Sequence, residues 1–232
     1  MKMSRLLKPL LRSIGIALFG AASGWAVAAE FAVKVVQKEP PKEVDESIRK
    51  TLQTSAVQLL EAAKPVFEFW LSADIPLQSK PESPTKAMDA IKQSTVLGVV
   101  AVASNTRDYK DNDLASGVYT MRFGLQPQDG NHLGTAEFPY FAVLVSAKRD
   151  SKIDGITDYK TLVKASKEGT ASDHPIILSL QPASSAEGDT PKLNEPAPEH
   201  KSVRLKIPAR VAGTGEQTSV ILELVYQGKG KV

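Results

Sequence analysis

The chain reads as a mainly β protein: an antiparallel β-sandwich, immunoglobulin-like or jelly-roll-like, with two or three short helices. Three observations predict this. Several runs of strand length are rich in Val, Ile, Leu and aromatic residues, and many alternate apolar and polar side chains with period two. Clusters of Gly, Pro, Asn and Asp punctuate them. Long helix-period segments are not interleaved with them, which disfavours a parallel βαβ sheet and favours two packed antiparallel layers.

The elements follow in order. FAVKVVQ, at 31–37, is a β-rich run stopped by Pro40 and Pro41. Asp45 is placed to cap a short helix over DESIRKTLQ, in which Ile48 and Leu52 share a face. Strands are expected over 56–60 and 65–71. In the second, Phe67, Phe69 and Leu71 form the apolar set that faces the core, with Glu68 toward solvent. Prolines make 76–86 a loop, and 87–92 adds a helical turn. TVLGVVAVA, at 95–103, is apolar almost throughout, as a strand buried on both faces is.

Residues 104–117 read as a solvated, turn-rich connection. In the strand 118–126, Tyr119, Met121, Phe123 and Leu125 are expected inward and Arg122 outward. The strand 138–146 follows, with Pro139 at its start or edge. Asp158 caps a helix built around Tyr159, Leu162 and Val163 and closed by Gly169. A strand is expected at 174–180. Pro182, Pro191, Pro196 and Pro198 make 181–200 a mobile loop or linker. Two alternating strands at 202–207 and 218–226 end the chain as a hairpin around Gly213-Thr214-Gly215.

Domain organisation follows from the first 29 residues. Lys2, Arg5, Lys8 and Arg12 form a basic start, 13–26 (SIGIALFGAASGWA) is apolar, and Ala26-Val27-Ala28 or Val27-Ala28-Ala29 supplies small residues at a cleavage site. This is the pattern of a secretory signal peptide over 1–29, cut after Ala28 or Ala29, with 30–232 as a single β-sandwich domain. The apolar stretch falls short of the about 20 residues of a membrane helix. No membrane span is therefore expected after cleavage, and the protein is expected to be exported, either periplasmic or secreted.

Charge and composition narrow the function. The whole chain has 29 basic and 26 acidic side chains, but the four basic residues of the leader leave 25 against 26 in the remainder. No basic cluster remains beyond Lys229 and Lys231, so nucleic acid is not expected as a partner. The cysteine count is zero. That excludes disulfides, thiol nucleophiles, thiolate metal sites and type I copper, so the fold must rest on its apolar core. Gly-x-Ser-x-Gly, His-Glu-x-x-His and phosphate-loop patterns are absent.

The densest polar stretch is 126–137 (QPQDGNHLGTAE), between two strongly expected strands. Asp129, His132 and Glu137 could bring an imidazole and two carboxylates to one end of the sheet, and His174 could reach the same rim. No cofactor is expected from the sequence as a whole, but such a set suits a divalent metal or a small ligand. A structured turn, with Asp129-Gly130 reversing the chain, accounts for the same residues. A hydrolase would have to draw on His132 and His174. Asp108, Asp111 and Asp113 lack the alternate spacing and distal Glu of a calcium loop. Phe69, Trp70, Tyr119, Tyr140 and Phe141 could form a carbohydrate platform, but with aromatics at 6% they are needed in the core.

The segment 117–134, GVYTMRFGLQPQDGNHLG, with the strand at 141–146 and HPIILS at 174–179, resembles a group of exported bacterial proteins. In that group a G-x-Y-T-x-R strand runs into a Q-P-x-D-G-x-H-x-G loop. The resemblance spans roughly 65–182 and implies an exported β domain without carrying an activity over. The expectation is therefore a non-enzymatic binding or interaction module of the cell envelope, partnered by an envelope protein or ligand. The metal- or ligand-binding and hydrolase readings stand as alternatives.

Overall fold

A computed structural model describes residues 30–127, 129, 136–168, 173–183, 188 and 190–230. The leader, Ala28 and Ala29 included, and Gly169 lie outside the described residues. The strands are β1 (Phe31–Gln37), β2 (Ser55–Glu61), β3 (Lys64–Leu71), β4 (Ile75–Leu77), β5 (Val96–Val102), β6 (Thr106–Arg107), β7 (Asp113–Leu114), β8 (Gly117–Leu125), β9 (Tyr140–Ser146), β10 (Ile177–Pro182), β11 (Lys192–Ala197), β12 (His200–Val211) and β13 (Gln217–Gln227). Helix α1 is Glu46–Arg49, a 3-10 helix spans Pro84–Ala90, and α2 is Tyr159–Lys167. The fold is mainly β and antiparallel with three short helices, as the sequence predicts.

The strands join in the order β1-β2-β3-β5-β8-β9-β10-β13-β12-β11, every neighbouring pair antiparallel. Among the described residues only β4 adds in parallel, against β12, and β6 and β7 form a separate hairpin. The sheet curls until its two edges approach. The Phe31 ring of β1 lies 5.4 Å from that of Tyr226, and Lys201 Nζ sits 4.8 Å from its centroid. The two halves of the sheet thus face each other across one core, as in a sandwich.

Period-two alternation builds that core. Leu59, Phe69, Val100, Phe123, Leu144, Leu205 and Leu222 come from seven strands and are all essentially inaccessible. Phe67, Phe69 and Leu71 point inward, as expected. Gly98 lets β5 pass close to β3: a Cβ there would stand 2.4 Å from the Trp70 carbonyl oxygen.

The outer face is covered in two places. Helix α1, capped by the Asp45 carboxylate accepting from Ser47 N at 2.9 Å, lays Ile48 near Trp70, Val96 and Val99. Helix α2, capped by Asp158 accepting from Thr161 N at 2.9 Å, lays Leu162 near Phe141, Val143 and Val145. Strands β5 and β9 are therefore buried on both faces, which is why they read as continuous apolar runs.

Four expectations need correction. Arg122 does not face solvent; it is fully buried and paired with Asp150, because the 147–157 segment folds over the outer face of β8. Leu125 lies beyond the covered part of β8 and is 41% exposed. The connection 104–117 is not simply solvated, since it forms the β6–β7 hairpin around a buried Asp108. The stretch 181–200 carries the end of β10 and all of β11, whose Pro196 is tolerated because β11 is an edge strand.

Candidate functional site

Of the residues singled out from sequence, Asp129 and Glu137 lie between β8 and β9, and His174 lies just before β10, toward the opposite end of β9 by register. Asp129 and Glu137 are exposed, and His132 lies outside the described residues. His174 is half-buried, with Nδ1 2.8 Å from the Pro175 carbonyl oxygen. Burial first, then the Asp129 charge, raises the Tyr159 hydroxyl pKa above its ordinary value. Burial and the Glu137 charge do the same to Tyr109, opposed by a hydrogen bond with Ser179. Tyr159 and His174 line a narrow apolar pocket with Leu125, Phe141 and Ile177, of about 20 Å³. That is room for about one water molecule. The structure thus brings Asp129 and His174 to the surroundings of Tyr159. Among the described residues, no group of three or more His, Asp or Glu side chains stands together as a metal-ligand set.

The aspartates of the β6–β7 hairpin are engaged within the protein. Asp108 accepts from the backbone N–H groups of Lys110, Asn112 and Ile177 at 2.8–3.0 Å, which ties the hairpin to β10. Asp111 pairs with Lys229 at 2.8 Å and Asp113 with Arg107 at 3.4 Å. Of the five aromatic residues weighed as a platform, Phe69, Trp70, Tyr140 and Phe141 are buried; Tyr119 is half-buried.

Tyr119 opens onto a cleft of about 480 Å³ between the β6–β7 hairpin, the paired positions Tyr119 and Ser146 of β8 and β9, and the end of α2. The walls are held firmly. Tyr119 donates its hydroxyl hydrogen to the Ala115 carbonyl at 2.9 Å, and Asn105 Oδ1 accepts from Ser116 N at 2.9 Å. The buried Ser166 hydroxyl donates to Leu144 O and accepts from Ile176 N, which locks α2 to β9 and β10. Arg149 and Glu168 close one side as an exposed ion pair at 2.9 Å.

Arg149 is positioned by its neighbour. Asp150 receives Arg122 Nε at 2.7 Å and Nη2 at 2.8 Å, and the Thr120 hydroxyl at 2.5 Å. The remaining guanidinium hydrogens go to the carbonyls of Ser94, Lys152, Ile153 and, at 3.4 Å, Ile156. This clamp fixes the turn after β9 from which Arg149 reaches the cleft. Within the cleft, the Thr106 and Ser146 hydroxyls and the Asn105 side-chain NH₂ make no hydrogen bond with another described residue. Sequence reading missed this site because its residues run from 105 to 176 with no local spacing; the one usable signal was Tyr119, set aside as core.

Compared with family models, with curated proteins and with solved structures, the chain matches none.

Proposed function

We propose that the protein is exported to the cell envelope and acts there as a non-enzymatic binding module, with the cleft beside Tyr119 as its binding site. The observation that carries this reading is the unequal use of polar groups. The buried charges Arg122, Asp150 and Asp108 are consumed in holding loops in place, whereas Asn105, Thr106 and Ser146 present donors and acceptors to an open cleft. Polar groups placed on a rigid frame and left unspent are what a binding site requires. Export is supported by the basic, apolar and small-residue succession of 1–29.

Two measurements test the reading. Mass analysis of the chain recovered from fractionated cells is expected to find it in the envelope or medium, beginning at Ala29 or Glu30. Recovery from the cytosol with Met1 or the leader intact would refute export. Amide NMR spectra of that mature protein, recorded with a small-molecule extract of cell envelopes, are expected to move the resonances of 105–106, 114–119 and 146–149. An unchanged cleft would refute the binding role.

A second reading makes Asp129, His132, Glu137 and His174 a divalent-metal or small-ligand site. It is favoured by the placement of Asp129 and His174 around Tyr159. Stoichiometric metal in the purified protein, lost in His174→Ala, would establish it, and a metal-free protein unaffected by added zinc would end it.

A further inference from the structure

We infer that the cleft beside Tyr119 takes a neutral saccharide, an inference that rests on the cleft being the binding site. Its size comes first: about 480 Å³ accommodates one or two sugar rings. Its charge comes second. Arg149 and Glu168 neutralise each other at 2.9 Å, so neither offers an uncompensated charge to a ligand. A phosphate or other anion would meet Glu168 and Asp113 in the same wall. A free amino acid would have to separate the Arg149–Glu168 pair to be held by both ends.

The hydrogen-bonding inventory points the same way. A hydroxyl both donates and accepts, and an amide NH₂ donates twice. Thr106, Ser146 and Asn105 therefore match the vicinal hydroxyls of a sugar, which are themselves donors and acceptors. An apolar ligand would strip these groups of water without replacing the lost hydrogen bonds. The remaining wall suits the C–H face of a sugar ring: half-buried Tyr119, immobilised through its hydroxyl and backed by the buried Leu114 and Ile176.

The test is an amide NMR titration of the mature protein with maltose and with N,N′-diacetylchitobiose, each to about 50 mM, the range in which a weak millimolar complex saturates. L-leucine and inorganic phosphate serve as competing chemistries. A saccharide is expected to shift the amides of 105–106, 114–119 and 146–149. Thr106→Val and Ser146→Ala should each weaken that binding about tenfold, equivalent to about 1.4 kcal/mol, with the thermal midpoint unchanged. Each removes or replaces only a hydroxyl that makes no hydrogen bond with another described residue, so these variants keep the fold even where Tyr119→Leu loses it. Cleft shifts with leucine or phosphate but with neither sugar would overturn the saccharide class while leaving the binding site standing. No cleft shift with any of the four probes would also overturn it. The wider binding role then stands or falls on the envelope extract.

Discussion

Strand β8 carries two polar regions three positions apart, and they are used in opposite ways. At Arg122 the charges of the pair with Asp150 are buried and engaged: the Thr120 hydroxyl and the carbonyls of four further residues complete the set. At Tyr119, paired with Ser146 across the same ladder, the surrounding amide and hydroxyl groups face an open cleft. Polarity inside a β fold therefore has two meanings. Where it is fully satisfied it is scaffolding that holds a loop to a sheet. Where it is left unspent on a rigid frame it is available to a ligand. The two regions are also linked, because Asp150 of the clamp directly follows Arg149 of the cleft.

Breaking the clamp should have the largest effect. Arg122→Met leaves the Asp150 carboxylate buried without its partner, and removing one member of a buried pair costs about 3–5 kcal/mol. The double variant Arg122→Met/Asp150→Leu removes the stranded charge and should recover a large part of that loss. Urea unfolding of the two variants and the parent measures both quantities. If Arg122→Met cost no more than a surface substitution, the clamp would not be the element that holds 147–157 to the sheet.

This difference also explains what could be read in the sequence. The alternation of Phe67, Phe69 and Leu71, and the apolar run at 95–103, identify strands because a curled sheet demands that pattern locally. The caps Asp45 and Asp158 are equally local, since each side chain satisfies an N–H within three residues. Arg122 was misread because its partner lies 28 residues away, and nothing near it announces burial. The prolines of 181–200 concealed β11, since only the sheet order shows it to be an edge strand. The stretch 126–137 was legible as one dense polar run. The Tyr119 cleft was not, because it is assembled from four separate parts of the chain.

The other end of β9 supplies a second engaged polar group, and it makes a pH test. Tyr140 donates its hydroxyl hydrogen to the Asp89 carboxylate. Burial above all, then that hydrogen bond and the Asp89 charge, push the Tyr140 hydroxyl up to about 12; burial together with the Glu195 and Glu61 charges does the same for Tyr226. Below the unfolded-state value of about 10 both states keep these protons. Between about 10 and about 12 the unfolded chain releases them while the folded chain retains them, so stability falls as pH rises through that window. Tyr140→Phe should lower stability at pH 7 by about 1 kcal/mol, one hydrogen bond, and should flatten the alkaline decline. An alkaline slope identical to the parent's would remove Tyr140 from the account.

The smallest effect tests whether the clamp is as complete as its hydrogen bonds make it look. Ser94 gives its carbonyl to Arg122 Nη1 at 2.9 Å, but its own hydroxyl is buried without a partner and its backbone sits at φ +69°. Both features work against folding. A left-handed non-glycine residue costs on the order of 1 kcal/mol, and an unpaired buried hydroxyl about 1–3 kcal/mol. Glycine removes both costs and, in return, adds about 0.5–1 kcal/mol of chain entropy to the unfolded state. Ser94→Gly should therefore stabilise the protein, by about 0.5–1 kcal/mol once the cavity left by the hydroxyl is counted, and Ser94→Ala by less, because it keeps the strained backbone. The order Gly, then Ala, then Ser in urea midpoint is the expected result. Destabilisation by both substitutions would mean that the Ser94 hydroxyl is satisfied in solution. The clamp would then be complete, and the contrast with the Tyr119 cleft sharper than the direct hydrogen bonds alone make it.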